Sequence, residues 1–352
     1  MKDLTVIVTA CGAPGGPGII KALRQVKERN IQIVGTDANP IASGLLLSDE
    51  AYVVPQGQSK SYIPTMFKLA KKIKADVILP LSGMELLPLS KNKEAFGDAK
   101  VVVNKEHPLE IALNKKKCYE YLKGRGIPLP DYVVVHDYEE FVEAVHALGY
   151  PKKPVCFKPS VSKGQRGFRI LREDVDLGKL LLETKPDNTI TTLEMVSNVL
   201  SKGGFKELLV MEYLTGSEYS VDSLVKNGKS LVIIPRKRVE TKLGISSVGI
   251  VEKNDEVIEV VEKINRVFKF DYNINVQLKY STDGTPKLVE INPRVSGTIC
   301  LSAAAGPNLP YLGIKMCLEE DFSIPKINWG LTMIRCWDEL YAKSYPSFPK
   351  VE

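Results

Sequence analysis

Four short runs, LTVIVTA, IQIVGTD, ADVILP and VVVN, recur between Leu4 and Asn104, separated by segments of helical length, and this alternation restricts the fold more than any other feature. Strands linked through helices must return parallel to one another, so the sheet is covered on both faces. The spacing predicts a parallel α/β sheet with helices over about Gly18–Glu28 and Ile63–Lys74.

The first turn of this region reads C-G-A-P-G-G-P-G from Cys11 to Gly18, and Asp37 ends the second strand. A turn of this kind invites a dinucleotide reading. Its order is G-x-x-G-G-x-G, however, with two prolines, rather than the dinucleotide G-x-G-x-x-G, so it reads as a tight strand-to-helix turn lining a cleft.

Near residue 113 the pattern changes. NKKKCYEYLKGRGIPLPDY is a basic amphipathic helix stopped by Gly124 and Gly126, marking a domain boundary. Beyond it VCFKPS, FRIL, ELLVMEYL, YSVDSLV, KSLVIIPRKRV, NINVQLKY and KLVEINPR read as strands, with hairpin turns at Lys226–Lys229 and Thr282–Thr285. This half is mixed α+β with antiparallel pairing.

Composition excludes several classes. A formal charge of +6 in 352 residues is too small to argue for a nucleic-acid surface. No run approaches a membrane span, and the N-terminus lacks the pattern of a signal peptide. The six cysteines show no CxxC spacing and the three histidines fall in no catalytic pattern, so the expectation is a cytoplasmic protein with reduced thiols.

Four stretches gather polar chemistry. In KPSVSKGQRGF, Lys158 closes a strand before a Ser/Gly-rich turn containing Ser162, Gly164 and Gly167; glycine amides and a lysine suit phosphate oxygens, although an exposed basic hairpin would look similar. In MEYLTGSEYSVD, the strand end Glu212-Tyr213-Leu214 can offer its backbone to a purine edge and Glu218 can accept ribose hydroxyls, or both acids are surface charges. IIPRKRVETKLGISSVG sets Arg236 and Arg238 on one strand face, suited to carboxylate or phosphate, or to pairing within the fold. Finally, LVEINPRVSGT places Glu290, Asn292 and Arg294 two residues apart on one face. Glu290 and Asn292, with Gln277 on the preceding strand, supply the hard oxygens that Mg²⁺ prefers, and Arg294 lies where a phosphoryl or acyl phosphate would carry charge; a self-paired polar strand end is the alternative.

Taken in order, KPSVSKG, MEYLTGSEYSVD, NVQLKY and LVEINPR resemble the ATP-grasp superfamily, especially the synthetase modules of carbamoyl phosphate synthase and related carboxylate-amine ligases. The resemblance implies a Rossmann-like pre-ATP-grasp domain over 1–112, a two-lobed ATP-grasp domain over 113–330 (lid about 113–210, base about 211–330), and a C-terminal strand and tail over 331–352. It implies that Lys117, or a neighbour in the basic helix, and Lys158, with the loop of Ser162, Gly164 and Gly167, contact ATP phosphates, that Glu212, Tyr213 and Leu214 hold adenine, and that Glu218 holds ribose. By the same resemblance Gln277, Glu290 and Asn292 bind Mg²⁺, with Mn²⁺ a substitute, and Arg294, Arg236 and Arg238 serve the reacting groups. The implied activity joins a small-molecule carboxylate to an amine through an acyl phosphate, in an enzyme compatible with a homodimer. Carbamoyl phosphate synthase-like or biotin carboxylase-like phosphorylation of bicarbonate or carbamate is the alternative within the fold. A non-catalytic nucleotide sensor and an NAD oxidoreductase are alternatives of other classes.

Overall fold

The structure, a computed structural model, describes residues 1–161, 166–184, 189–242, 244–336, 338–342 and 348–351. It divides into two units: Met1–Leu113 with Glu218–Leu278 and Glu290–Glu352, and Asn114–Ser217 with Lys279–Val289.

In the first unit, β1 (Leu4–Thr9), β2 (Ile31–Asp37), β3 (Glu50–Val53), β4 (Val77–Leu79) and β5 (Lys100–Val101) form a parallel sheet in the order β3-β2-β1-β4-β5. The order reverses at β1, which puts the topological switch point, and the crevice it opens, at the Cys11–Gly18 turn. The following helix spans Gly16–Arg24, starting earlier and stopping sooner than its sequence suggests, with Pro17 seated in its first turn where no amide partner is lost. One sheet face buries Val6, Val8 and Ile33; the other buries Ile7, Val34 and Ile78 against Tyr62, Met66 and Leu69 of the helix Tyr62–Lys72.

A buried acid braces this sheet. Glu85 is 3% exposed. Its Oε1 accepts from Thr9 Oγ1 at 2.6 Å and from the amides of Leu81 and Ser82, and its Oε2 accepts from Tyr62 Oη at 2.6 Å. Burial pushes the carboxyl above its ordinary range, and the donated bonds oppose that shift. An acid raised in the fold binds protons more readily than in the unfolded chain, so its contribution is most favourable below the unfolded value and is lost as pH rises through the folded one. Urea unfolding between about pH 4 and pH 8 should therefore show the wild type losing stability with rising pH relative to Glu85→Gln, which cannot titrate. Parallel curves would refute the assignment.

The rest of this unit is built on β11 (Glu218–Lys226), β12 (Lys229–Lys242), β13 (Ile245–Val251), β14 (Tyr272–Tyr280), β15 (Pro286–Asn292) and β16 (Thr332–Ile334), ordered β15-β14-β11-β12-β13-β16. The tip of the β14–β15 hairpin, Lys279–Val289, groups with the second unit. Asn227 and Gly228 take φ of 47° and 79°, the left-handed pair that a two-residue hairpin between β11 and β12 requires. The helix Asp255–Phe268, capped by Asn254, buries Val257, Val261 and Ile264.

The second unit contains β6 (Tyr132–Val135), β7 (Val155–Pro159), β8 (Arg169–Leu171), β9 (Ile190–Thr191) and β10 (Leu208–Glu212), ordered β6-β10-β7-β8-β9 and antiparallel except for β8 and β9. Its basic helix spans Lys115–Leu122, with Asn114 capping the Lys117 amide and Gly124 and Gly126 at positive φ beyond its end. Among the described residues no helix is long and apolar enough to cross a membrane.

Candidate nucleotide and metal site

The polar row at the end of β15 is assembled in the first unit. Asn292 Nδ2 donates to Glu290 Oε1 at 2.9 Å, Arg294 Nη2 reaches Asn292 Oδ1 at 3.4 Å, and Arg294 Nη1 donates to the Val295 carbonyl at 2.6 Å. All three side chains are half-buried. Gln277 lies on β14, the strand beside β15. Burial lowers the Arg294 guanidinium from its ordinary range, while the charges of Glu290, Glu85 and Asp222 oppose that effect. A carboxylate and a carboxamide within hydrogen-bond reach form a hard-oxygen donor pair. Among the described residues no group of three or more His, Cys, Asp or Glu side chains is arranged to hold a metal ion by itself. Such a pair suits a cation that takes its other ligands from water and phosphate.

The two arginines of β12 meet acids on β11 because the register sets Ser220 opposite Arg236 and Glu218 opposite Arg238. Arg238 Nη1 donates to Glu218 Oε1, its Nη2 to the Gly244 carbonyl at 2.7 Å and its Nε to Ser246 Oγ at 3.2 Å. The acid expected to hold ribose is therefore already held by one of the expected anion-binding arginines. Arg236 is 1% exposed and pairs with Asp222, which sequence reasoning did not single out. The only hint of Asp222 was the alternation of Glu218, Ser220 and Asp222 along one strand face.

The glycine turn is shaped by close backbone approach. A Cβ at Gly16 would lie 1.8 Å from the Cys11 carbonyl oxygen, and one at Gly15 would lie 2.6 Å from Gly297 Cα. Asp37 accepts from the Gly12 amide and from the Asn39 amide, both at 2.8 Å. The acid that a dinucleotide would use for ribose instead closes the turn on itself.

In the second unit, Lys158 sits on β7 opposite Leu209, and it is 6% exposed. Next to it, Ser160 donates to Glu207, which also pairs with Lys116 at 2.7 Å. Lys117 is exposed, one position along the helix from that pair. Gly167 takes φ of 76°, and a Cβ there would lie 2.6 Å from Pro159. Ser162 and Gly164 lie outside the described residues. Glu212, at the end of β10, accepts from the Asp131 amide at 3.0 Å and pairs with Lys287, a partner its sequence neighbourhood did not disclose. Tyr213 and Leu214 follow it beyond the strand; Leu214 is buried, and the Tyr213 ring lies 4.6 Å from Lys279 Nζ.

Residues 204–335 match the family described as ATP-grasp in the biosynthetic pathway with Ter operon, and residues 6–103 match the family described as PylC-like, N-terminal domain. Among curated relatives, the chain is 22% identical over 337 residues to the carbamoyl phosphate synthase large chain of Clostridium acetobutylicum, covering 92% of this chain and 29% of that one. It is 23% identical over 297 residues to the carbamoyl-phosphate synthase of Methanobrevibacter smithii, covering 79% and 72%. It therefore spans less than a third of the Clostridium protein. Among solved structures, an ADP complex of N5-carboxyaminoimidazole ribonucleotide synthetase shares the fold with a TM-score of 0.69 at 14% identity, covering 94% of this chain and 81% of the other. The biotin carboxylase domain of Hydrogenobacter thermophilus 2-oxoglutarate carboxylase does so with 0.68 at 17%, covering 94% and 74%.

Proposed function

We propose that the protein is an ATP-dependent ligase that activates a small-molecule carboxylate as an acyl phosphate and transfers the acyl group to an amine. The observation that carries this reading is the joined row of Glu290, Asn292 and Arg294 at one strand end. Gln277, Glu290 and Asn292 would hold Mg²⁺, or Mn²⁺ in its place, which when bound neutralises charge on the phosphate oxygens. Lys158 and Lys117 serve the phosphates, Glu212 with the backbone of Tyr213 and Leu214 serves adenine, and Glu218 serves ribose. A carboxylate oxygen attacks the γ-phosphorus as the bond to the β-phosphate oxygen breaks and ADP leaves. The amine nitrogen then attacks the acyl carbon, phosphate departs with the C–O bonding pair, and the amine loses a proton. No side-chain nucleophile enters; Arg294 faces the charge of the transferred group.

The carbamoyl phosphate synthase relatives favour one second reading, in which bicarbonate or carbamate is the phosphoryl acceptor. A screen of carboxylate and amine pairs, with bicarbonate as a separate arm, for ADP release and product mass separates the two. Absence of ADP release with every acceptor of either kind would leave a nucleotide sensor and end the ligase reading.

The buried stem of Lys158 shapes its own test. Alanine would open a gap in the sheet, so methionine, which keeps the stem's packing, isolates the charge. Charge-assisted bonds to phosphate contribute roughly 1.5–3 kcal/mol each. Lys158→Met should therefore weaken ATP binding by about ten- to a hundredfold with an unchanged circular dichroism spectrum. Wild-type affinity in calorimetry would show that the lysine serves only its own unit.

A further inference from the structure

Arg236 was expected to meet an anion directly, yet every one of its side-chain nitrogens is turned inward. Nε and Nη2 donate to the two carboxylate oxygens of Asp222 at 2.8 and 3.0 Å. The remaining bonds run from Nη2 to Ser220 Oγ at 3.1 Å and Ser296 Oγ at 2.9 Å, and from Nη1 to Thr298 Oγ1. Asp222, 1% exposed, also accepts from Asn275 Nδ2 at 2.9 Å and Ser302 Oγ at 2.7 Å. Side chains of β11, β12 and β14 thereby grip both the loop that follows Arg294 and the helix Ile299–Ala304 beyond it. From its other side the loop is met by the glycine turn, where Gly15 leaves no room for a Cβ against the Gly297 backbone.

A buried ion pair adds little net stability compared with apolar packing, but it fixes a unique geometry for whatever is hydrogen-bonded to it. The groups tied down here are the hydroxyls of Ser296 and Thr298, two and four residues after Arg294. We propose that Arg236, held by Asp222, is a positioning residue that sets the Ser296–Thr298 loop and through it the direction of the Arg294 guanidinium. This rests on the ligase reading for the role of Arg294, but the placement of the loop stands apart from it. The bonds described for this network run among Arg236, Asp222, Ser220, Asn275, Ser296, Thr298 and Ser302, so its loss is expected to act on turnover rather than on nucleotide affinity. A displacement of the order of 1 Å at a reacting group costs roughly a hundredfold in rate.

Arg236→Lys keeps the positive charge beside Asp222 but loses the fork that reaches both hydroxyls. Thr298→Val removes one loop bond without disturbing the ion pair, and Thr298→Ser retains it. The expected result is a fall in kcat for ADP release of about ten- to a hundredfold in Arg236→Lys and a smaller fall in Thr298→Val. Thr298→Ser should remain near wild type, and the KM for ATP should change by less than about threefold throughout. Amide hydrogen exchange over 294–304 should rise in the first two variants and stay at the wild-type level in the third. If Arg236→Lys does not fold, the two Thr298 variants decide. Unchanged exchange in Thr298→Val, or a loss of ATP affinity as large as the loss of turnover, would overturn the proposal. A wild-type protein that releases no ADP would defeat the ligase reading alone, since the exchange measurement still reports whether the network holds the loop.

Discussion

Glu290→Gln is expected to lower ADP release by about a hundredfold or more, the largest effect of any single substitution here. The amide has the shape of the carboxylate, and Asn292 Nδ2 can still donate to its oxygen, so the strand end should keep its form. What disappears is the only formal negative charge in the row Glu290, Asn292 and Arg294. Because ligand charge governs affinity for a hard divalent cation, raising Mg²⁺ should restore activity only in part. Thermal unfolding is the control: a midpoint that falls while turnover is retained would make the row a structural strand end. Full recovery at moderate Mg²⁺ would place Glu290 outside the metal's ligands.

The second large effect is expected from Arg294→Lys. The lysine keeps a positive charge, but a single ammonium cannot both bond the Val295 carbonyl and reach Asn292 Oδ1 while presenting a planar pair of donors to an anion. If Arg294 meets the transferred group mainly in the transition state, kcat should fall by about a hundredfold with a much smaller change in ATP affinity. Burial makes this position costly for any cation, and Glu290, Glu85 and Asp222 provide the compensating charge. A variant that loses ATP affinity in proportion to turnover would instead assign Arg294 to ground-state nucleotide binding.

The parts of this fold that were legible in the sequence are those encoded locally. The parallel sheet announces itself because its buried strands are β-branched runs and its first turn is rich in glycine. The row Glu290, Asn292 and Arg294 is legible because period-two spacing alone puts three side chains on one face. The helix Asp255–Phe268 is harder to read from residue types: Val257, Val260, Val261 and Ile264 recur at helical spacing behind the Asn254 cap, yet their β-branched character masks it. The contact between Arg236 and Asp222 is of another kind. It depends on the register of β11 against β12, a non-local property, and on Ser296 and Thr298 being brought to the same place from sixty residues away. A reading of residue types could identify an arginine suited to anions but not whether the anion is a substrate or a neighbouring aspartate. The same holds for Glu212 and Lys287, which meet only once the strands that carry them are laid down.

The near-contact of Gly15 with Gly297 bears on how such proteins can diversify. Two main chains from distant parts of the sequence approach with no side chain between them, so the turn cannot gain a side chain at Gly15 while the Gly297 loop keeps its path. A chimera that exchanged residues 1–113 for those of a relative would import a turn shaped for a different opposing loop, and the mismatch would fall on the segment carrying Arg294. Recombination of this scaffold should therefore succeed when the turn and residues 294–298 travel together, making them one heritable module despite the nearly three hundred residues that separate them.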